Sequence, residues 1–349
     1  MILSRRVPDA LAMLIAVALG LIAGSPALAQ DAPQLPTAII TAESLTNQQQ
    51  GTIDAFVTHR TAQLVDGEPL EVSQARRDLY EPFQVDGATA AFLGYHRDTI
   101  ASRLDAAFAS DRVLVRLNAM ILITRMPGRV PEALIDAGLD DSSPAVRYWA
   151  ARAVREVATA GGLGAGQQQA MLNRLTGRLE AEDATAVVEQ LFVALIALPV
   201  DVGAQPLLES INHRVSLHAE RPGSSVQPER AAMQELFRQL LSAGSNNPPR
   251  AAMRQLSRAA VRYMDLLATA LEADAVEEHR QQQYADTIAL ADHLLRTLHA
   301  ELGGGGSVPA AVTDAVGDAD WATVRTAAQR WRGLLQQAPY NFSEDDLGV

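Results

Sequence analysis

Four arginines at four-residue spacing, Arg250, Arg254, Arg258 and Arg262, are the side chains of this sequence best arranged to bind something. On a helix each step of four advances ~40° beyond a full turn, so the four form a slanting cationic stripe across ~120°. Guanidinium groups in a row suit an anionic ligand or an acidic partner. The competing use is a solvated face that pairs with acids on neighbouring helices, and such surface pairs are common and weak. Arg116 and Arg147, each near the start of a helical stretch, pose the same choice.

Other chemistry is scarce. The chain has no H-E-x-x-H, no P-loop, no G-x-S-x-G and no cysteine. Gly162-Leu163-Gly164-Ala165-Gly166 has the look of a dinucleotide loop but follows a helix where such a loop needs a strand, so it reads as an interhelical connection. His213 and His218 are five apart, and zinc would need a further ligand such as Glu220. His293 and His299 are six apart, which puts them ~120° out of phase on a helix. Packing or solvation is the expected use of these histidines. No catalytic, cofactor or metal residue is assigned. Asp292 and Arg296 have i,i+4 surface-pair spacing. Trp149, Trp321 and Trp331 are expected in the core or at a groove edge, and an aromatic content of 5% weakens a sugar-binding reading.

The elements that position these residues are helical throughout; no run of alternating β-branched residues stands out. The most regular stretch is 140–157. Ser143 is placed to cap a helix that Pro144 begins. Val146, Trp149, Ala150, Ala153, Val154 and Val157 then share one face, with Arg147, Ala151 and Arg155 on another, partly basic one. The same six positions recur as Val115, Asn118, Ala119, Leu122, Ile123 and Met126, and as Val187, Gln190, Leu191, Ala194, Leu195 and Leu198. In each case the second position tolerates a polar residue, as the margin of a buried stripe would. A shorter helical piece precedes each copy, at 98–109, 131–137 and 168–179. Repeating helix pairs at this spacing mark an α-solenoid, whose units stack because none can bury its apolar face alone.

Elsewhere the periodicity predicts helices over 51–64, 71–80 and a longer one over 88–109. Further helices are expected over 206–215, 229–243, two within 250–302, and one after the cap Asp320. Tyr284, Ile288, Ala291, Leu295, Leu298 and Leu302 alternate steps of four and three, a coiled-coil-like seam. Breaks fall at 219–228, at 244–249 and at the glycine run 303–306. The acidic tail 338–349 is expected to be disordered over 343–349.

The pattern Asp140…Val146-Arg147…Ala150 resembles the second helix of a HEAT-type repeat. Asp111…Val115-Arg116…Ala119 is a weaker copy, and in the third Val188 stands in place of the arginine. The resemblance covers roughly residues 97–200. It implies a curved stack of helix pairs, commonly a protein-binding scaffold, with no single function. It also implies a ladder in which such arginines bond an acid of the adjacent turn, here Asp111, Arg116, Asp141 and Arg147. The expected fold class is all-α, a short HEAT-like α-solenoid over 37–200 continuing into a helical bundle or irregular continuation over 205–337.

The first 29 residues have the form of a secretory signal. Arg5 and Arg6 precede a 14-residue apolar run, 11–24, shorter than the ~20 residues of a membrane span. Pro26 breaks the run, and Ala27-Leu28-Ala29 is an A-x-A cleavage site. An exported, periplasmic or secreted chain is expected, with no stable span after cleavage. All 29 basic residues are arginine, and the net charge is −12. That sign opposes nucleic acid and anionic membranes as partners. Without cysteines, stability rests on helix packing. The leading expectation is a non-catalytic scaffold that binds a protein partner. The alternatives are a helical-toroid enzyme acting on an envelope or extracellular polymer, and an envelope-structural protein that self-associates through the seam 284–302.

Overall fold

The computed structural model describes residues 33–128, 131–161, 164–242 and 249–348; all are helix or connection, with no strand among them. The expected export leader, Gly162, Leu163 and most of the break 244–249 lie outside the described residues.

The chain begins with α1 (Thr37–Ile40), α2 (Asn47–Asp66), α3 (Pro69–Tyr80), α4 (Ala90–Ala101) and α5 (Asp105–Phe108). The middle is α6 (Val113–Arg125), α7 (Glu132–Leu139), α8 (Pro144–Thr159), α9 (Ala165–Ala181) and α10 (Thr185–Ile196). Then follow α11 (Val200–Glu220), α12 (Gln227–Ser242), α13 (Arg250–Glu272), α14 (Glu278–Glu301), α15 (Thr313–Gly317), α16 (Trp321–Leu335) and α17 (Glu344–Leu347).

Packing is sequential. α2 pairs with α3, α5 with α6, α7 with α8, α9 with α10, α11 with α12 and α13 with α14. One layer runs α3, α6, α8, α10, α12, α14, each touching the next. The other runs α2, α5, α7, and then α9, α11, α13, α16. The protein is therefore all-α with solenoid-like packing, and the alternation of layers carries on past residue 200 into the C-terminal part. The reason is periodicity: five of the six stripe positions in α8 are buried (Val146, Ala150, Ala153, Val154 and Val157), which leaves the helix dependent on its neighbours.

Several local outcomes differ from the sequence expectations, each for a visible reason. The long helix over 88–109 is two. At its middle the Ser102 hydroxyl takes the Thr99 carbonyl (2.8 Å), and the amides of Arg103 and Leu104 reach back three residues instead of four. α11 starts before Pro206 and contains it, because packing against α9, α10 and α13 overrides the lost backbone donor. Ser143 occupies the N-cap of α8 without a side-chain cap; its N–H instead donates to Asp141 Oδ1 (2.7 Å). The face of α8 carrying Arg147 and Ala151 is buried as well, because α8 is a middle helix enclosed by α6, α7 and α10.

The expected seam on α14 turns inward. Tyr284, Ile288, Ala291, Leu295, Leu298 and Leu302 are all in the core, where α14 packs on α13. Asp292 is not a surface residue either, being 4% exposed. It accepts two bonds from Arg296 (2.8 and 3.1 Å), one from Trp331 Nε1 (3.2 Å) and one from the Val312 N–H (3.4 Å). One carboxylate thus ties α14 to the 303–312 connection and to α16.

Candidate partner-binding surfaces

Arg116 and Arg147 sit on successive helices of one layer, and each reaches forward to an acid in a later interhelical turn. Arg116 Nε donates to Asp141 Oδ2 (2.6 Å) and Nη2 to Oδ1 (3.2 Å). Arg147 grips Glu182 in the same forked way (2.7 and 2.8 Å). Backwards, Arg116 Nη1 donates to the Ser110 carbonyl (2.7 Å), and Arg147 Nη1 to those of Asp141 and Ser142 (both 2.9 Å). Each guanidinium therefore closes the turn behind it and grips the turn ahead. Asp111 contributes through its charge alone. Arg147 does not pair with the Asp141 carboxylate, which Arg116 holds.

The third rung comes from elsewhere in the chain. Where α10 has Val188, Arg214 of α11 enters instead, donating to the carbonyls of Leu179 and Glu182 (3.3 and 3.2 Å) and to Glu229 Oε1. Glu182, Arg214 and Glu229 were missed by sequence reasoning, although one signal was present. Glu182 precedes Ala184 by two residues, as Asp141 precedes Ser143, and each carboxylate accepts that N–H (3.0 and 2.7 Å). Burial alone would raise the Glu182 carboxyl. The Arg147 and Ala184 bonds, the Arg147 charge and the Arg178 bond outweigh it and hold the group below the usual carboxylate range.

Beside this rung lies a buried polar cluster. His218 Nδ1 is 2.5 Å from Ser224 Oγ, and Nε2 is 3.2 Å from Glu229 Oε1 but off the line a hydrogen bond needs. A serine, a histidine and a glutamate in contact invite a nucleophilic reading. The surroundings oppose it. Glu229 is wholly buried with its Oε1 taken by Arg214, and the Gly223 and Ser224 N–H groups, the nearest donors for an oxyanion, already donate to Tyr284 Oη and the Arg221 carbonyl. His213 and Glu220 are exposed while His218 is buried, and no group of three potential metal ligands converges among the described residues. His293 meets the edge of Phe237, and buried His299 stacks on Tyr340.

The arginine stripe on α13 grades from exposed Arg250, through half-buried Arg254 and Arg258, to Arg262 at 7% exposure. The tail lies along it. Arg254 Nη1 donates to the Pro339 carbonyl (3.5 Å), Arg258 Nε to that of Asp346 (2.5 Å) and Arg262 Nε to that of Gly348 (2.7 Å). Arg262 is braced from below by Asn212 and Ser216 of α11. The expected disorder over 343–349 is thus corrected for 343–348. Ser343 and Asp346 cap one another, and the turn they close buries Leu347 to 1% exposure.

A groove of about 430 Å³ crosses three helices of one layer. Its floor is apolar, from Phe192, Val193 and Ile196 of α10, Ala197 just after it and Ala232 of α12; Arg155, Glu189 and Glu235 also line it. An adjoining hollow shares Ala231 and Glu235 and extends to Leu241, which is 41% exposed. Another opening, of about 370 Å³ near Leu35, contains the ion pair Arg60–Asp78, closed on itself at 3.2 Å. Trp149 is half-buried, with Arg152 over its ring at 4.8 Å, and Trp331 is fully buried. Among the described residues no helix is long and apolar enough to cross a membrane.

Compared with known proteins, the chain matches no family model, no curated protein and no solved structure.

Proposed function

We propose that the protein is an exported, HEAT-like scaffold that holds a helical segment of another protein in the groove formed by α8, α10 and α12. The observation that carries this reading is the apolar floor shared by two helices of the same layer, in a groove that charged side chains also line. Neighbouring helices pack 8–10 Å apart, so a path over three of them is roughly 20 Å, or about 13 residues of helix. An occupant with one apolar face and polar flanks matches that length and lining. The HEAT-like reading draws on the motif around Arg116 and Arg147 and on the two-layer packing. The export reading draws on residues 1–29 alone.

The test is site-specific photocrosslinking in the native host, with the crosslinker at Val193. One dominant polypeptide adduct is expected, lost on Ile196→Glu while thermal stability is kept. An adduct pattern unchanged by Ile196→Glu, or no adduct at all, overturns the groove as the docking site. The enzyme alternative draws only on the His218 cluster, whose oxyanion donors are already occupied. The self-association alternative loses its proposed surface, since the seam on α14 is internal.

A further inference from the structure

The contact between the tail and α13 is built like a receptor holding a peptide. Three guanidiniums at successive turns meet three main-chain carbonyls, those of Pro339, Asp346 and Gly348. Carbonyls are present in every polypeptide, so this register does not depend on the occupant's side chains. Selectivity comes from two further features. Leu347 fills a buried position, and the Ser343–Asp346 cap pre-forms the turn that presents it. Apart from its chain neighbours, α17 packs chiefly on α13, so the rest of the stack stands without it.

Among the described residues, the tail brings one carboxylate near a stripe guanidinium, that of Asp346, 3.9 Å from Arg258. Glu344 and Asp345 are exposed and turned to no stripe arginine, and Arg250 has no ion pair among the described residues. Burial, and after it the neighbouring Arg258 charge, lower the Arg262 pKa. A segment with the same leucine-bearing turn and with acids aimed at Arg250 and Arg254 would satisfy this surface better than the resident tail does.

We propose that this face of α13 is a binding site for an acidic, leucine-bearing segment of a partner protein, and that the chain's own residues 343–348 occupy it until such a segment displaces them. The site is on a different face from the groove over α8, α10 and α12, so either can fail alone. A tethered occupant competes at an effective concentration of the order of millimolar, which masks the site without abolishing it.

The experiment is fluorescence anisotropy with a labelled peptide of residues 341–349 added to the full chain. Leu347→Asp in the protein should release the tail, seen as faster hydrogen exchange over 343–348. The peptide should then bind at least ~100-fold more tightly than to the wild type. Adding Arg258→Glu to that variant should remove binding, as should Leu347→Asp in the peptide. The proposal fails if the released variant binds the peptide no better than wild type, or if Arg258→Glu leaves binding unchanged. It also fails if exchange over 343–348 does not rise in Leu347→Asp, since the leucine is then no anchor. Concentration-dependent dimers of the wild type, abolished by Leu347→Asp, would assign the site to tail exchange between copies and overturn the partner reading.

Discussion

Arg147 faces both carboxylate oxygens of Glu182, at 2.7 and 2.8 Å, whereas Arg258 and Arg262 face main-chain carbonyls of the tail at 2.5 and 2.7 Å. The bond lengths are alike and the electrostatics are not. A carboxylate neutralises the guanidinium it binds, so the middle of the stack is closed in charge as well as in geometry. A carbonyl supplies a dipole only, and the carboxylate beside the stripe among the described residues, that of Asp346, stands 3.9 Å from Arg258, so the stripe keeps more of its positive charge than the ladder does. The middle is therefore a permanent joint, and the end is a contact that another anion can improve on.

The largest way to break this contrast is to remove one partner of the buried pair. Glu182→Ala strands Arg147 and Arg178, and about 3–5 kcal/mol of stability should be lost in urea unfolding. The double change Arg147→Met with Glu182→Leu should recover most of that loss, because an apolar pair of similar volume carries no desolvation penalty. Recovery of nothing would mean that the pair also does something its charge balance does not explain.

Acid titration separates the two regions next. His96 must be accounted for first. It is fully buried with Nε2 3.0 Å from the Leu79 carbonyl, and burial depresses its pKa to about 4. A depressed histidine stabilises the fold fully above its unfolded value of ~6.5, and that contribution disappears as pH falls toward 4. The shift of about 2.5 units corresponds to roughly 3 kcal/mol, which His96→Gln should remove from the pH 7 to pH 4 slope. The depressed Glu182 carboxyl adds its loss lower down, below the unfolded carboxylate range of ~4.3 and through its own lower value. The Arg262–Gly348 bond has no titrating acceptor. Hydrogen exchange over 343–348 should therefore follow the Ser343–Asp346 cap, whose Asp346 carboxyl the Ser343 hydroxyl and N–H bonds hold low, and not the ladder.

The smallest effect sharpens the contrast from the other side. Arg250→Ala and Arg254→Ala should each move the thermal midpoint by an amount equivalent to less than about 0.5 kcal/mol, since neither side chain closes a buried charge pair. A larger loss would show that the stripe is part of the framework.

The fold was legible because helix period and packing partner are both written locally. Val146 to Val157 marks one buried face, and the copies around Val115 and Val187 mark its neighbours. The second buried face of α8 was not legible, because Ala151 and Arg147 read as a partly basic face until α6 and α10 are placed on either side. The ladder was half legible. Arg116, Arg147 and Asp141 are named by the motif, but the expected pairing with the preceding acid is not the one formed: Arg116 passes Asp111 for Asp141, Arg147 reaches an acid 35 residues on, and the third rung uses Arg214 in place of the missing arginine at Val188. Long-range choices of this kind depend on which turns the stack brings together. The tail misled for a chemical reason: three acids in a row suggest solvation, yet the Ser343–Asp346 spacing is a cap and Leu347 is an anchor. The groove was invisible, since its floor residues sit outside the repeated stripe on α10.

The rungs around Asp141 and Glu182 also have a mechanical meaning. Each of these acids fixes the start of its own helix and at the same time accepts the arginine of an earlier helix, so neither helix pair can rotate without loosening the next. Strain applied along the molecule would be shared through the clamped middle as through a stiff spring, and the first part to yield would be the C-terminal latch, held by carbonyl bonds and a single leucine.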